Sequence, residues 1–369
     1  LTVASRSAEE RLSLAVYSFA SGPSALPREV VAELASDVGN YGGSELSALE
    51  LPFSEGVFSD ILAETECDLR ALLGVPPNYR VLFLQGGASA QFALLPMNLL
   101  GRGRHCEYVL GGHWSRRAAA EASRAADVWV IASGDGRSLP DPKSWRRSSD
   151  AAYCHYTTNE TADGLQFHTL PDPFDVPLVS DMTADLLTRG LSVERFGLIY
   201  ASAQKNLGAA GLTLVIVRED LLGRARQDTP APFDYTRQAE AASKINTPPT
   251  FSVLIAHRML RWLQNNGGVV AAERRSKAKC EKLYEVIDRD DFYCCPASLP
   301  HRSRLNVCFR LSSPRLEEMF LDEAKANGFV HLNGHRDVGG IRASLYNGVS
   351  EQAVDALVAF MTNFKLRRG

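Results

Sequence analysis

Short apolar runs alternate with segments of helical periodicity through the first two thirds of the chain. The apolar runs predict buried strands at Arg80–Leu84, Glu107–Leu110, Val128–Ala132, Ala151–Tyr156, Val176–Ser180, Phe196–Ala201 and Leu212–Val217. The helical segments predict helices at Arg28–Val38, Phe58–Leu73, from about Gln91, and at Ser115–Ala126. Because strands that alternate with helices form α/β folds, we expect a mainly parallel sheet with its ligand crevice beyond the carboxyl ends of the strands.

The last third of the chain has longer helices and fewer strands. The pattern predicts helices at Phe251–Gln264, Gly268–Asp288, Arg315–Asn327 and Ser350–Lys365, and strands at Arg304–Leu311 and Gly339–Tyr346. A chain of 369 residues is expected to form two domains. We therefore predict an N-terminal extension (residues 1–17), a large domain (18–265) and a smaller C-terminal α/β domain (266–369).

The composition excludes several classes of function. Hydrophobic residues make up 45%, charged residues 22% and the net charge is −3, which gives no electrostatic case for binding nucleic acid or an anionic membrane. No apolar run approaches the roughly 20 residues of a membrane span, and the first ten residues lack the apolar core of a signal peptide. The seven cysteines fit neither a zinc site nor a disulfide framework, so we expect a reducing, cytoplasmic location.

Two of the predicted strands end in side chains of opposite charge. Asp181 closes the run that begins at Val176, and Lys205 follows the run Phe196–Ala201. A lysine that forms a Schiff base with an aldehyde, and a carboxylate that keeps a pyridine nitrogen protonated, are the groups that pyridoxal phosphate (PLP) requires. Each residue also has an ordinary interpretation, since most lysines face water and aspartate is a favoured helix N-cap.

Two segments have the residue types of a phosphate site. Gly86–Ser89 follows a strand and opens a helix, so that free N–H groups, the helix dipole and the Ser89 hydroxyl would face an anion. Asn246–Thr250 contains two prolines, and its Thr247 hydroxyl offers a second clamp. The alternatives are a simple strand–helix turn for the first segment and a rigid loop before a helix for the second.

The other candidate side chains suit a flat ring or a carboxylate. Trp114 follows a strand and would either stack on a cofactor or belong to the core, and Thr161 lies in a predicted turn. Arg342 lies in the apolar segment Ile341–Tyr346, where it would either bind an anion or form a buried structural ion pair.

Together and in this order, these segments resemble the phosphoserine aminotransferase family, which comprises class-V PLP enzymes of fold type I. The resemblance runs from about Phe19 to Gly369. It rests on Ser21–Pro27, Val81–Phe83, Gly86–Ser89, Asn159–Gly164, Ala203–Asn206, Val215–Gly223, Asn246–Phe251, Gly334–Arg336 and Gly339–Ser344. No single segment is specific, whereas the ordered set is highly specific. It implies a large domain with a mainly parallel seven-stranded sheet and a smaller C-terminal α/β domain.

The resemblance implies a role for each candidate residue. Lys205 would form the internal aldimine and move the proton between substrate and cofactor, and Asp181 would pair with the pyridine nitrogen. Further contacts with the cofactor are implied for Ala88, Ser89, Trp114, Thr161, Gln204, Asn246 and Thr247. Of these, Asn246 and Thr247 would reach the phosphate bound to a partner subunit, which implies a homodimer with shared active sites.

The implied reaction is a ping-pong transamination in serine biosynthesis. Glutamate would become 2-oxoglutarate, and 3-phosphohydroxypyruvate would become phosphoserine. Arg342 would bind the substrate α-carboxylate, and His335 and Arg336 its distal anion. The expected partners are therefore small amino and keto acids and a second copy of the chain, without metal, nucleic acid or membrane.

One segment departs from the family pattern. Gapless alignment from Gly22 places Phe53-Ser54 where the family has a His-Arg pair, and Met182–Ala184 stands where serines are usual. Loss of a charged hydrogen bond costs about 1.5–3 kcal/mol, or roughly one to two decades in affinity. An aminotransferase with changed keto-acid specificity is therefore an alternative. A catalytically idle relative is opposed by Lys205 and Asp181, and a PLP-dependent lyase by the lack of an identifiable active-site cysteine.

Overall fold

The computed structural model describes residues 15–54, 56–101 and 105–369, so most of the predicted N-terminal extension lies outside the described residues. The strands are β1 Tyr17–Ser18, β2 Tyr79–Leu84, β3 Cys106–Leu110, β4 Val128–Ser133, β5 Cys154–Thr157, β6 Asn159–Glu160, β7 Leu165–Gln166, β8 Leu178–Asp181, β9 Leu198–Ser202, β10 Thr213–Arg218, β11 Tyr293–Cys294, β12 Asn306–Leu311, β13 Phe329–Val330 and β14 Ile341–Ser344. The α-helices are α1 Arg28–Gly39, α2 Gly56–Leu73, α3 Gly87–Leu99, α4 His113–Ala122, α5 Tyr235–Glu240, α6 Thr250–Asn265, α7 Gly268–Ile287, α8 Pro314–Ala326 and α9 Glu351–Arg368.

A seven-stranded sheet in the order β2-β10-β9-β8-β5-β3-β4 forms the centre of the larger part of the molecule. Strand β10 is antiparallel to both of its neighbours, and the other strand pairs are parallel. These are the strands that the apolar runs predict, with ends shifted by a few residues. The predicted α/β class and mainly parallel sheet are therefore confirmed.

The sheet is apolar on both faces, which is why its strands appear in the sequence as continuous apolar runs. Leu214 and Ile216 of β10 belong to one core cluster, whereas Val215 and Val217 belong to the cluster on the opposite face. Helices α1, α2 and α6 contribute to the first cluster, and α3 and α4 to the second. The sheet is thus a buried middle layer whose carboxyl edge is free to form a site.

Two details of the predicted pattern are wrong. Helix α3 begins at Gly87 rather than near Gln91, because Gly86 (φ 95°) supplies the left-handed turn from which the helix starts. The alternation of strand and helix also fails between β5 and β10, where the connections are turns, 3-10 segments and the β6–β7 hairpin. Those short connections bring polar residues to the carboxyl edge of the sheet.

The C-terminal part has its own core. The antiparallel sheet β11-β12-β14 packs with α7, α8 and α9, and the Ser350 hydroxyl accepts the backbone N–H of Ala353 as the N-cap of α9. Strand β1 pairs with β13, and Phe19, which is fully buried, lies in this C-terminal core. The start of the described chain therefore packs on the C-terminal part. None of the helices in the described part has the length and apolar character needed to cross a bilayer.

Candidate active site

The carboxyl ends of β5, β8 and β9 open into a pocket of about 350 Å³, a volume typical of small-molecule sites. Its walls come from the sheet edge, from the first turns of α3 and α4, and from the C-terminal part. The lining residues are Ser21, Gly22, Gly87, Ala88, Ser89, Trp114, Thr157, Asn159, Thr161, Asp181, Thr183, Ala184, Ser202, Gln204, Lys205, His335 and Arg342.

Lys205 lies in the turn that follows β9, and its side chain points into the pocket. The residue is 9% exposed, and its Nζ atom donates a hydrogen bond of 2.6 Å to the Thr161 hydroxyl. The Ser24 hydroxyl donates to the Lys205 carbonyl, which fixes the turn from the opposite side. Among the described residues, the hydrogen-bond partner of the amine is this neutral hydroxyl, which holds the amine inside the pocket.

Asp181 is the last residue of β8 and is 5% exposed. Its Oδ1 atom accepts the backbone N–H of Thr183 at 2.9 Å. Burial raises the pKa of this carboxyl group, while its hydrogen bond with Thr183 and the charge of Lys205 act in the opposite direction. A cationic ring nitrogen in the pocket would stabilise the ionised form further.

The first turn of α3 forms a cradle for an anion. Its N-cap, Gly86, provides no side-chain hydrogen bond, so the first N–H groups of this helix lack a side-chain cap. A Cβ atom at Gly86 would lie 2.6 Å from the Ala90 Cβ, which explains the glycine. Ala88 and the exposed Ser89 complete the pocket wall here. A phosphate would meet N–H groups and the positive end of the helix dipole.

Trp114 lies in the first turn of α4 and lines the pocket. Its ring centroid is 6.0 Å from the Lys205 Nζ atom, and its buried Nε1–H has no hydrogen-bond partner among the described residues. Its backbone N–H donates to the Glu160 carboxylate at 2.7 Å. An aromatic face, a held amine, a buried carboxylate and an uncapped helix start are the groups that PLP needs, so the pocket fits this cofactor.

Arg342 reaches the pocket from β14. It is 8% exposed, donates to the Thr161 carbonyl at 3.2 Å and donates to the Ser21 hydroxyl at 2.8 Å. No acidic side chain in the described ranges forms an ion pair with it, so the alternative of a buried structural ion pair is not supported. A guanidinium held only by neutral oxygens can still bind a carboxylate.

His335 lies at the edge of the pocket. Its ring is 4.3 Å from the His113 ring and 5.9 Å from the Trp114 ring, measured between centroids. Burial lowers the pKa of His335, and the neighbouring His113 lowers it further. The Asp337 carboxylate is 3.7 Å from the His335 Nδ1 atom and 3.9 Å from the His113 Nδ1 atom. These three side chains are of metal-ligating type, but the carboxylate is half exposed and shared with Arg336, and we assign no metal to them.

Several candidate residues lie away from this pocket. Arg336 is 88% exposed beside Asp337. Asn246 and Thr247 are exposed, and the Thr247 carbonyl accepts a hydrogen bond of 2.7 Å from the Gln85 amide. Phe53 packs at the margin of the large core, and Ser54 is exposed. The remaining candidates, including Gln204, line the pocket of their own chain.

Sequence reasoning missed four polar residues in the pocket wall and behind it. Thr157, the last residue of β5, and Thr183, two residues after the end of β8, line the pocket, whereas Glu160 and Asp163 accept N–H groups at the start of α4. Thr157 and Thr183 could have been found from the strand ends. The carboxylates could not, because their partners lie more than 40 residues away in sequence.

The comparisons with known proteins agree with this architecture. The family model "Aminotransferase class-V" matches residues 16–357. The chain is similar to the phosphoserine aminotransferase of Laribacter hongkongensis, with 47% identity over 360 residues that cover 96% of this chain and 100% of that protein. It is equally similar to the phosphoserine aminotransferase of Azotobacter vinelandii, with 47% identity over 361 residues that cover 97% of this chain and 100% of that protein.

Solved structures show the same likeness. The phosphoserine aminotransferase from Bacillus circulans subsp. alkalophilus has a TM-score of 0.94 and 40% identity, covering 96% of this chain and 99% of that one. A PLP-bound phosphoserine aminotransferase from Trichomonas vaginalis has a TM-score of 0.90 and 34% identity, covering 94% and 99% of the two chains. The pattern of motifs, the fold and these similarities lead to one conclusion: the chain belongs to the class-V aminotransferase family.

Proposed function

We propose that this chain is a PLP-dependent transaminase that converts 3-phosphohydroxypyruvate and glutamate to phosphoserine and 2-oxoglutarate. The observation that carries the proposal is the Lys205 amine, held 2.6 Å from the Thr161 hydroxyl in a pocket that also contains Asp181. The substrate pair is taken from the relatives, which are named phosphoserine aminotransferases and match almost the whole chain. These similarities do not favour the alternative of a changed keto-acid specificity.

Different pocket residues would bind different parts of the cofactor. Lys205 would bind the aldehyde carbon, Asp181 the ring nitrogen, and the first turn of α3 the phosphate, while Trp114 would cover one face of the ring. When bound, PLP supplies a ring that accepts electrons from the substrate carbon. Burial of Asp181 excludes water from the charge pair that it would form, which strengthens the pair.

Substrate binding and proton movement fall to residues of this chain. Arg342 would bind the α-carboxylate, since its guanidinium is already oriented by Thr161 and Ser21. His335 would contact the distal anion, and the Asp337 backbone N–H donates to its Nδ1 atom at 3.3 Å, which orients the ring. Once the Lys205 Nζ atom is free, it would carry the proton at the substrate α-carbon, because it is an amine that Thr161 already holds inside the pocket.

We further propose a homodimer with shared sites, in a reducing, cytoplasmic location. The exposed position of Asn246 and Thr247, outside the pocket of their own chain, supports a role in a partner's site. Arg336, which is exposed and follows the pocket-lining His335, would bind the distal anion together with His335. All seven cysteines are free thiols, which supports a reducing compartment.

The direct test is an assay of the purified chain with PLP, glutamate and 3-phosphohydroxypyruvate, in which 2-oxoglutarate formation is followed. 2-Oxo acids of similar size with uncharged side chains serve as controls. We expect kcat/KM to be highest for 3-phosphohydroxypyruvate. No transamination, or a clear preference for a 2-oxo acid with an uncharged side chain, would overturn the proposed function.

A further inference from the structure

We propose that Glu160 is a positioning residue that holds Trp114 against the cofactor and joins it to the lysine side of the pocket. This inference rests on the proposed function, because it assumes that PLP fills the pocket. Glu160 does not itself line the pocket, and it would act through the backbone of α4.

The carboxylate of Glu160 binds the start of α4. The residue is fully buried, its Oε2 atom accepts the Trp114 N–H at 2.7 Å, and its Oε1 atom accepts the Ser115 N–H at 2.9 Å. Asp163, from the same turn, accepts the His113 N–H at 2.9 Å. Three successive N–H groups at this helix start are therefore held by two carboxylates from a distant segment.

The local contact at this helix start lies before its first turn. The Ser115 hydroxyl accepts the N–H groups of Gly111 and Gly112 at 2.8 and 3.0 Å, so it orients the chain that enters the helix and leaves the first three helical N–H groups to the carboxylates. The contacts with Glu160 add a connection between α4 and the β6–β7 turn. They determine where the Trp114 ring stands relative to that turn.

The same turn also holds the reactive side of the pocket. Thr161, which follows Glu160 directly, accepts the Lys205 amine through its hydroxyl and the Arg342 guanidinium through its carbonyl. One short segment thus touches the lysine, the substrate-binding arginine and the helix of the stacking tryptophan. Its position fixes the distance between the ring-covering face and the amine.

The start of α4 and the β6–β7 turn approach so closely that a glycine is required at the residue before α4. A Cβ atom at Gly112 would lie 2.5 Å from the Asp163 Oδ2 atom and 2.8 Å from the Glu160 Cγ atom. No larger residue could occupy this position without displacing the carboxylates. Gly112 and the Glu160–Asp163 turn are therefore matched in shape, although they are about 50 residues apart.

The test compares two buried carboxylates by isosteric substitution. Glu160→Gln replaces the carboxylate that accepts the α4 N–H groups with an amide. The control is Glu107→Gln, the same substitution at a fully buried glutamate of β3 that accepts the Ser148 N–H at 2.6 Å outside the pocket. Two quantities are measured for each protein: the PLP dissociation constant, and the thermal midpoint without PLP. We expect Glu160→Gln to weaken PLP binding by about tenfold or more and Glu107→Gln by less than about threefold, with lowered midpoints in both.

A double-mutant cycle with Trp114→Ala identifies the route. If Glu160 acts through Trp114, adding Glu160→Gln to Trp114→Ala changes PLP binding by less than about threefold. Independent, multiplying effects, or an unchanged dissociation constant in Glu160→Gln, would overturn the inference. If Glu160→Gln does not fold, Glu160→Asp, which withdraws the carboxylate by one methylene, replaces it under the same criteria. Wild-type protein that binds no PLP would instead overturn the proposed function.

Discussion

The Lys205 amine and the Thr161 hydroxyl lie 2.6 Å apart, although 44 positions separate the two residues in the sequence. The contact joins the turn after β9 to the turn between β6 and β7. It places the amine above the carboxyl edge of the sheet, where Asp181 ends β8. This arrangement gives one pocket both a lysine amine and a buried carboxylate, the two groups that transamination with PLP needs.

Replacement of Asp181 by Asn should remove the charge that keeps a bound pyridine nitrogen protonated. We expect kcat to fall by about 10²–10³-fold, the scale of losing one electrostatic contact in an enclosed site. The loss in kcat is measured by steady-state kinetics with glutamate as the amino donor. The control is Asp185→Asn, a buried carboxylate that binds Arg189 at 2.9 Å outside the pocket and should change kcat by less than about tenfold. Equal losses in both variants would contradict the role of Asp181.

The Phe53-Ser54 segment should limit affinity for the phosphorylated substrate. Introducing the family pair as Phe53→His with Ser54→Arg adds charged hydrogen-bond donors, and we expect KM for 3-phosphohydroxypyruvate to fall by about tenfold. The KM for a 2-oxo acid with an uncharged side chain should not change. Ser44→Arg, at an exposed position of the preceding loop, controls for added charge alone. The same KM in all three proteins would show that this segment does not contact the distal anion.

The proposed shared sites can be tested by mixing inactive subunits. A Lys205→Ala chain and an Asn246→Ala, Thr247→Ala chain should each have little activity alone. A mixed dimer would contain one intact site, because each chain supplies what the other lacks. Random mixing should therefore restore about a quarter of wild-type activity. No recovery, despite a mixed dimer detected by native mass spectrometry, would show that each pocket uses only its own chain.

His155 should make the fold sensitive to acid. Its ring is fully buried, 2.9 Å from the Tyr200 hydroxyl, and burial lowers its pKa from 6.5 to about 3. Between these values the unfolded state binds more protons than the folded state, so this contribution to stability is complete above pH 6.5 and is lost as the pH falls toward 3.

The size of this effect should be on the order of a few kcal/mol. Chemical denaturation of His155→Gln across this range should show a shallower dependence of unfolding free energy on pH than the wild type does. If the unfolding free energies of His155→Gln and the wild type depend on pH in the same way, His155 is not the source of the acid sensitivity.

The sequence predicts the sheet well for a physical reason. Strands buried on both faces, such as β8 and β9, carry continuous apolar runs, and a charged residue marks the point where each run meets the pocket. Asp181 and Lys205 are visible for that reason. Helix starts are less visible, since α3 begins within the glycines that seem to belong to a turn.

The parts that sequence does not predict depend on contacts between distant segments. Glu160 looks like a turn residue until the fold brings it to the N–H groups of α4. His335 and Arg336 are neighbours in sequence, yet only His335 lines the pocket of its own chain. The contacts that orient Arg342 come from Ser21 and Thr161, far from it along the chain. No local pattern of residue types contains this information.

The most direct test of the central claim is to identify the residue that binds the cofactor. The PLP-loaded protein is reduced with borohydride, digested and analysed by peptide mass spectrometry, with Lys279, a buried lysine bonded to three backbone carbonyls, as an internal comparison. We predict one pyridoxyl group per chain on the peptide that contains Lys205 and none on Lys279. An unlabelled Lys205, or a label at another lysine in protein that is fully active, would contradict the account.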